Sequence, residues 1–233
     1  MDCICAERRI KVMDQVVLIT EAHHPWERAL VQEFAQRGWY VMACSPVPEE
    51  GYQDIPDPDK VHAFTMDTRS KESVQKAVRR IQDQFGRIDL LVCGTASSRQ
   101  EGTAGIADMS ADLVLEDYQA NTLGPIRVIE ACLPLMDNGL QRIALLSDAQ
   151  GSLGLGLSGA GAGYAMSKAA LHMAYTMLHG DLSGKGFTFR LFEPGSELDA
   201  ESLVEAAAAY FTESRGDEER MVMLDWRGLE IPL

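Results

Sequence analysis

Two side chains with complementary acid–base chemistry lie four positions apart, at Tyr164 and Lys168. They begin an apolar run whose spacing predicts a helix, and residues four apart in a helix share one face. An ammonium beside a phenol favours the phenolate, which lowers a tyrosine pKa from about 10 towards the working range of a general acid or base. The pair therefore predicts a proton-transfer site, although a tyrosine that anchors a helix beside a solvated lysine has the same spacing.

Composition narrows the classes of protein to which the chain can belong. With 233 residues, 46% of them hydrophobic, the chain is long enough to bury one large core. Its net charge of -14 and its pI near 4.7 argue against a basic surface for nucleic acid or anionic lipid. No apolar run reaches the ~20 residues of a membrane span. We therefore expect no nucleic-acid partner and no membrane partner.

The five cysteines are odd in number and scattered through the sequence. This pattern fits reduced thiols in the cytoplasm better than a disulfide framework. Cys3 and Cys5 are close enough to form half of a metal site, but no partner ligands accompany them. The sequence therefore predicts a cytoplasmic protein without a metal site.

Short apolar strands alternate with amphipathic helices along the chain. We predict strands at residues 15–20, 39–44, 62–66, 88–93, 142–147, 187–192 and 221–226, and helices at residues 26–37, 70–85, 113–136, 164–182 and 201–211. This alternation is typical of a doubly wound parallel sheet, here of about seven strands, in a three-layer α/β/α sandwich. Such sheets bind ligands at the carboxyl ends of their strands. We expect residues 1–12 to be an N-terminal extension and residues 13–233 to form a single domain.

Several short motifs follow this order of elements. They are Asn121 in the predicted helix 113–136, Leu146-Ser147-Asp148 at a strand end, Tyr164-x-x-x-Lys168, and Glu193-Pro194-Gly195 after the next strand. Over residues 15–225 the arrangement resembles the short-chain dehydrogenase/reductase family. The resemblance implies a Rossmann-type fold and hydride transfer between NAD or NADP and a small-molecule carbonyl or alcohol. It also implies a homodimer or homotetramer, because the family's corresponding helices pair across a two-fold axis.

The resemblance assigns roles to the positions that match. Tyr164 would be the catalytic acid/base, Lys168 would lower its pKa and hold the nicotinamide ribose, and Asn121 would position a water for proton relay. Asp67 would contact the adenine. The predicted cofactor-binding residues are Thr20, Asp67, Thr68, Gly94, Tyr164, Lys168, Pro194 and Gly195.

The turn after the first strand departs from the family's glycine-rich pattern. All three family glycines are replaced between Thr20 and Glu27. Those glycines let the backbone approach a pyrophosphate, whereas Trp26 is bulky and Glu21 and Glu27 bring like charge. Two unit charges ~6 Å apart repel by ~3 kcal/mol at an effective dielectric near 20, which is about two decades of affinity. We therefore expect dinucleotide binding to be weak.

Two histidines stand in the same turn, at positions 23 and 24. With Arg28 they would offset the glutamates if they faced the phosphates. An exposed polar turn is the alternative that we favour, and a zinc site needs further ligands that the sequence does not identify. At the end of the second strand, Ser45 and Pro46 indicate neither NAD nor NADP.

Asp148 stands where the family has its catalytic serine. A carboxylate cannot donate a hydrogen bond to a carbonyl oxygen unless it is protonated, which at neutral pH requires a strongly raised pKa. Ser147, Ser152 and Ser158 are other sources of the hydroxyl, the last two in the glycine-rich loop 151–163. The sequence leaves this choice open, and Asp148 is the fourth catalytic candidate.

The last departure concerns access to the site. The short link between Gly195 and the predicted helix 201–211 leaves no room for a helical lid, so we expect an open cleft. The retained Tyr164, Lys168 and Asn121 favour an oxidoreductase. The lost glycines favour a cofactor-free binding or scaffold protein, or a non-redox acid/base enzyme. We prefer the oxidoreductase and keep the second class as the alternative.

Overall fold

Apolar strands form one continuous sheet through the part of the chain that the structure, a computed structural model, describes. The described residues are 15–47, 52, 55, 57–94, 109–156, 161–195 and 200–233. The predicted N-terminal extension 1–12, with Cys3 and Cys5, lies outside them, and so does Ser158.

The strands follow the spatial order β3-β2-β1-β4-β5-β6-β7-β8. Their bounds are β1 Val16–Ile19, β2 Tyr40–Ser45, β3 Val61–Thr65, β4 Leu90–Cys93, β5 Arg142–Leu146, β6 Thr188–Glu193, β7 Met223–Asp225 and β8 Glu230–Ile231. All neighbours pair in parallel except β7 and β8, which are antiparallel. The winding direction reverses between β1 and β4, and doubly wound sheets bind ligands at such a switch point.

The predicted doubly wound parallel sheet is confirmed, with one strand more than the seven expected. The additional strand is β8, at the edge of the sheet beside β7. Its two residues are too few to show an alternation of apolar and polar side chains.

Helices cover both faces of the sheet. Within the described residues they are α1 Pro25–Gln36, α2 Lys71–Phe85, α3 Ala111–Tyr118, α4 Gly124–Cys132, α5 Ala162–Leu182 and α6 Ala200–Thr212. Helices α1 and α6 share one apolar core with the sheet, and α2, α4 and α5 share the other. The predicted three-layer sandwich is therefore confirmed. Its strands are buried on both faces, which is why their sequences are continuous apolar runs.

A π-helical turn at Gln119–Leu123 interrupts the helix predicted over 113–136. Pro125, at the start of α4, lacks the N–H that would bond to the carbonyl four residues earlier, so the backbone takes a wider turn. Asn121 and Thr122 in this turn are each only 1% exposed. The wide turn therefore directs two adjacent polar side chains into the molecule.

Two buried arginines connect the segment after α6 to the sheet. Arg142 on β5 and Arg190 on β6 donate to the Glu218 carboxylate at 3.1 and 2.5 Å, and both also donate to the Glu213 carbonyl. Burial by itself would raise the pKa of Glu218. This effect is outweighed by hydrogen bonds from Arg190 and the Arg215 backbone and by the charges of both buried arginines, and the pKa is lowered to about 2. We call Arg142, Arg190 and Glu218 the arginine clamp.

The described cysteines are free thiols inside the core. Cys44, Cys93 and Cys132 are buried, and burial raises the pKa of each thiol. They are therefore poor nucleophiles. No helix in the described ranges is both long and apolar enough to cross a membrane.

Candidate active site

The predicted site residues gather at the carboxyl ends of the parallel strands. Thr20 follows β1, Gly94 follows β4, and Asp148 lies two residues after β5. Pro194 and Gly195 follow β6. Parallel strands end at one edge of the sheet, so residues far apart in the sequence meet there.

Tyr164 and Asp148 are hydrogen-bonded to each other. The Tyr164 hydroxyl donates to Asp148 Oδ2 at 3.0 Å, and Asp148 Oδ1 accepts from the Gln150 backbone N–H at 2.9 Å. The two side chains belong to residues that are 4% and 8% exposed. The carboxylate at the family's serine position therefore acts as an acceptor for the tyrosine.

Lys168 lies one helical turn after Tyr164 on the same face of α5. It is only 1% exposed, and its Nζ atom is 5.6 Å from the centroid of the Tyr164 ring. Burying an ammonium group costs free energy unless the group is paired. Packing alone therefore does not explain why Lys168 is buried beside the Tyr164 phenol. The arrangement can stabilise negative charge on the Tyr164 oxygen.

Asn121 is connected to the same helix turn through Ser167. Its Nδ2 group donates to Ser167 Oγ at 3.0 Å, and that hydroxyl donates to the Tyr164 carbonyl at 2.7 Å. Thr122 Oγ1 donates to the Ser167 carbonyl at 2.8 Å. The Oδ1 atom of Asn121 is buried and has no hydrogen-bond partner within the described part of the chain. Such an orphaned acceptor is where a water or a ligand hydroxyl would bind.

A buried serine–histidine pair lies beside these residues and was not predicted. Ser147 Oγ is 2.5 Å from His172 Nε2, and the two residues are 5% and 3% exposed. Burial and the charge of Lys168 lower the pKa of His172 to about 4, against the opposite effects of the Gly151 backbone and Asp148. The imidazole is therefore neutral at physiological pH. Its position four residues after Lys168 is the sequence signal that could have revealed it.

The predicted alternatives to Asp148 have other bonds. The Ser147 hydroxyl is engaged with His172, and Ser152 Oγ accepts from the Leu155 backbone N–H at 3.2 Å. Ser158 lies outside the described residues. Asp148 is the candidate that contacts Tyr164 directly.

The turn after β1 and the first turn of α1 each contain one buried carboxylate. Glu21 is 6% exposed and has φ 55°, in the left-handed region that favours glycine. Burial raises the pKa of Glu21 to about 7; the hydrogen bond from Thr68 opposes this, and the charges of Glu27 and Asp67 add to it. Glu27 is 2% exposed. Glu21 therefore has a backbone conformation typical of glycine although it is not a glycine.

Glu27 packs against Gly94, across the switch point of the sheet. The Gly94 N–H donates to Thr20 Oγ1 at 3.0 Å, which joins the ends of β1 and β4. A Cβ atom at Gly94 would collide with the Thr20 carbonyl and would lie 2.7 Å from Glu27 Cγ. The glutamate side chain thus occupies space beside the small residue that the sequence assigned to cofactor passage.

The remaining predicted cofactor residues are placed around the same edge. Asp67 Oδ1 accepts from the Arg69 backbone N–H and side chain, and Thr68 Oγ1 donates to Glu21 Oε1 at 2.9 Å. Gly195 has φ 70°, and a Cβ atom there would lie 2.5 Å from Trp226 Cδ1. The segment 196–199, on which the expected open cleft depends, lies outside the described residues.

Comparison with known proteins gives the family. Residues 15–203 match the family model described as short chain dehydrogenase. A 1-hydroxy-2-glutathionyl-2-methyl-3-butene dehydrogenase of Rhodococcus sp. (strain AD45) is 33% identical over 132 residues, 56% of this chain and 56% of that protein. Retinol dehydrogenase 5 of Homo sapiens is 29% identical over 185 residues, 77% of this chain and 55% of that protein. The chain thus spans little more than half the length of these two relatives.

Solved structures share the fold. A carbonyl reductase from Pseudomonas aeruginosa PAO1 in complex with NADP has a TM-score of 0.77 at 23% identity, covering 94% of this chain and 100% of that one. Since the family match extends over most of the sequence, the chain belongs to the short-chain dehydrogenase family. The resemblance inferred from the motifs is therefore confirmed.

Proposed function

We propose that the protein is an NAD(P)(H)-dependent oxidoreductase that interconverts a carbonyl and an alcohol on a small molecule. The observation that carries the proposal is the buried arrangement of Tyr164, Lys168 and Asn121 at the carboxyl edge of the sheet. Ser167 connects Asn121 to Tyr164, and Lys168 lies over the Tyr164 ring. Family membership and the names of the relatives support the same class.

Two residues fit a dinucleotide. Asn121 Oδ1 is an orphaned buried acceptor, and Lys168 lies beside Tyr164 on α5. They would hold the nicotinamide and its ribose, whereas the space beside Gly94 is filled by Thr20 and Glu27. When bound, the dinucleotide supplies or accepts the hydride. The substrate carbonyl would lie next to the Tyr164 hydroxyl.

In reduction, Tyr164 gives its proton to the carbonyl oxygen as that oxygen gains negative charge. Lys168 stabilises the phenolate that remains, because a positive charge near a phenolate in a poorly solvated site lowers its energy. Asn121 holds a water from which the proton is replaced. In the resting site Asp148 accepts a hydrogen bond from the Tyr164 hydroxyl, so this hydroxyl must turn from Asp148 to the substrate before it can donate its proton.

The phosphate end of the cradle opposes binding. The carboxyl groups of Glu21 and Glu27 lie where the family's glycines approach the pyrophosphate, and both are nearly inaccessible to water. We therefore propose that NAD(P)H binds more weakly than is usual in the family. Ser45 and Pro46 at the end of β2 favour neither cofactor.

These same carboxylates support a second candidate function. A family member that has lost dinucleotide binding could act as a binding or scaffold protein, or transfer protons without redox chemistry through Tyr164 and Asp148. The buried Tyr164–Asp148 hydrogen bond is a proton-transfer pair that needs no cofactor. This candidate predicts that no dinucleotide binds at any accessible concentration.

Cofactor fluorescence and one variant test the proposal. NADH and NADPH are titrated into the purified protein, and carbonyl reduction is then followed with a panel of aldehydes and ketones. Tyr164→Phe should abolish turnover and leave cofactor binding within a few-fold. Full activity in Tyr164→Phe would reject the dehydrogenase mechanism. The absence of any fluorescence change with either cofactor at millimolar concentration would instead favour the second candidate.

We further propose a homodimer or homotetramer located in the cytoplasm. Helix α5 carries three exposed methionines at positions 166, 173 and 177, which are 51%, 59% and 65% exposed. Spacings of seven and four put them on one face, where a second copy would cover them. The free, buried thiols support a reducing compartment.

A further inference from the structure

Three side chains with metal-binding atoms meet in the turn after β1. Glu21, His23 and His24 each offer one ligand atom, and these atoms all lie within 4.8 Å of one another. His23 Nδ1 is 3.9 Å from Glu21 Oε2, and the two imidazole centroids are 4.1 Å apart. We call these residues the turn triad. The sequence suggested no metal site because it gave the two histidines no third ligand, and the structure places Glu21 in that position.

The spacing of the turn triad is close to that around a bound ion. Metal–ligand bonds of ~2.0–2.2 Å put neighbouring ligand atoms roughly 3.4 Å apart in a tetrahedral site. His23 Nδ1 and Glu21 Oε2 are 3.9 Å apart and all three ligand atoms lie within 4.8 Å, so small side-chain rotations would bring them to this spacing. Both histidines are half-buried, so their rings have room to turn.

The backbone holds the three residues together. The His24 N–H donates to the Glu21 carbonyl at 3.0 Å, and Glu21 has the left-handed φ of 55° that closes a tight turn. Pro25 follows immediately as the first residue of α1. The fold around β1 therefore keeps the three residues in one tight turn, and their rotamers set the distances between the ligand atoms.

The carboxylate has the support that metal ligands usually have. Thr68 Oγ1 donates to Glu21 Oε1 at 2.9 Å, which leaves Oε2 on the side of His23. Hydrogen-bonded outer residues orient ligating carboxylates in this way. A carboxylate only 6% exposed is stabilised by a paired cation, a bound metal ion or a proton. Thr68, expected from the family resemblance to bind cofactor, would serve the metal site instead.

We infer that the turn triad of Glu21, His23 and His24 binds a divalent transition-metal ion of the zinc class. Two imidazoles and one carboxylate suit Zn²⁺ or Co²⁺ and do not suit Mg²⁺ or Ca²⁺, which prefer oxygen ligands. Three protein ligands leave at least one coordination position for water. The ion would sit at the β1 end of the crevice and add positive charge beside the two buried glutamates.

Cobalt absorption and calorimetry test this inference with the full-length chain. The protein is freed of metal with EDTA, exchanged into chelator-free buffer and titrated with Co²⁺ or Zn²⁺ alone. We expect one ion per chain with a dissociation constant in the micromolar range or below, and visible Co²⁺ absorption of a low-coordinate nitrogen and oxygen site. His23→Ala/His24→Ala should weaken binding at least a hundredfold, and Glu21→Gln at least tenfold.

Two matched controls separate the turn triad from other metal-binding groups. Cys3→Ser/Cys5→Ser removes two thiols, and His62→Gln removes a histidine on β3, outside the turn triad. Both should bind Co²⁺ like the original protein. Loss of binding in the cysteine variant, or equal binding in His23→Ala/His24→Ala, would overturn the inference.

Thermal unfolding keeps the test decisive if a variant is poorly folded. Saturating Zn²⁺ should raise the midpoint temperature of unfolding of the original protein and of both controls, because a ligand that binds only the folded state stabilises that state. A midpoint unchanged by Zn²⁺ in the original protein, or binding only at millimolar concentration, would also overturn the inference. No dinucleotide is present in these titrations, so the result does not depend on the proposed oxidoreductase activity.

Discussion

Asp148 determines where the Tyr164 hydroxyl points. Asp148 Oδ2 accepts a hydrogen bond from the Tyr164 hydroxyl at 3.0 Å, and the proton in this bond is the one that a carbonyl substrate needs. A serine in the same place would donate to the carbonyl oxygen and would leave Tyr164 available to the substrate. The substitution at this one position thus changes a donor into an acceptor next to the reacting atoms.

Asp148→Ser should raise the rate of reduction of simple carbonyls. One hydrogen bond gained in the transition state is worth roughly 1–1.5 kcal/mol, or about tenfold in rate. The measurement is the steady-state rate of NADPH oxidation with a small aldehyde. Asp148→Ala is the control, because it removes the carboxylate without adding a donor. A lower rate in Asp148→Ser than in the original protein would contradict this prediction.

Buried His172 should make stability depend on pH. The pKa of His172 is about 4 in the folded chain, below its ordinary value of 6.5, because the imidazole is buried near Lys168. Between these values the unfolded chain binds a proton that the folded chain does not. The stability from the neutral imidazole is therefore complete above pH 6.5 and is lost as the pH falls towards 4.

His172→Gln should flatten this dependence. At 1.36 kcal/mol per pKa unit, the shift corresponds to roughly 3 kcal/mol of unfolding free energy between pH 6.5 and 4. Urea unfolding at several pH values measures the slope. Ser147→Ala is the matched control, since it removes the same hydrogen bond and keeps the imidazole, so its slope should remain. An unchanged slope in His172→Gln would contradict the assignment.

At the scale of elements, the β1–α1 turn distinguishes this chain from the family pattern. Glu21 has a glycine-like backbone, and Glu27 fills the space beside Gly94. Glycine in place of Glu21 would remove backbone strain of about 1 kcal/mol. It would also remove the hydrogen bond from Thr68, which costs stability by a similar amount. The turn can be changed without unfolding the element.

Glu21→Gly/Glu27→Gly should tighten NADPH binding by up to about a hundredfold, because it removes negative charge and bulk from the phosphate path. Fluorescence titration in the presence of EDTA measures the affinity and keeps metal out of the comparison. Glu33→Ala/Glu72→Ala changes the net charge equally at two sites outside the turn and should leave the affinity unchanged. A folded glycine variant that binds no better would show that charge and bulk in this turn do not limit binding.

The elements differ in how far the sequence could predict them. The strands and α5 follow from continuous apolar runs and helical spacing, which are local properties. The π-helical turn was not predicted, because it arises where Pro125 meets a helix that is anchored on both sides. The burial of Glu27 was also hidden, since an acidic residue in a first helical turn is usually exposed. The contact between Ser147 and His172 could not be predicted either, because it depends on how α5 packs against the end of β5.

At the scale of the whole molecule, the methionines of α5 argue for assembly. If they form the contact between copies, Met173→Glu/Met177→Glu should give a monomer, because charges cannot be buried in an apolar interface without a partner. Light scattering at micromolar concentration measures the mass. Leu229→Glu is the control, an exposed apolar residue beside β8 that should leave the assembly intact. A monomeric original protein would remove the prediction.

The arginine clamp also has a consequence for how the molecule opens. Glu218 lies in the segment that leads into β7 and β8, while Arg142 and Arg190 belong to the middle of the sheet. If Glu218 detaches together with the last two strands, both guanidinium groups lose their carboxylate. This stretch should therefore exchange its amide hydrogens almost as slowly as the central strands, although edge strands normally exchange faster.

Glu218→Gln should release that stretch. We expect this variant to lower the free energy of opening by about 2 kcal/mol, less than for a fully buried pair because Glu218 is partly exposed. Amide exchange at Met223 and Leu224 should then be roughly thirtyfold faster. Arg220→Gln removes an exposed ion pair with Glu230 and should change exchange little. Acid should act like the first variant, since the clamp's contribution is complete above pH 4.5 and is lost as the pH falls towards 2. The short C-terminal edge would then behave as a separate unit that opens while the Rossmann core stays closed.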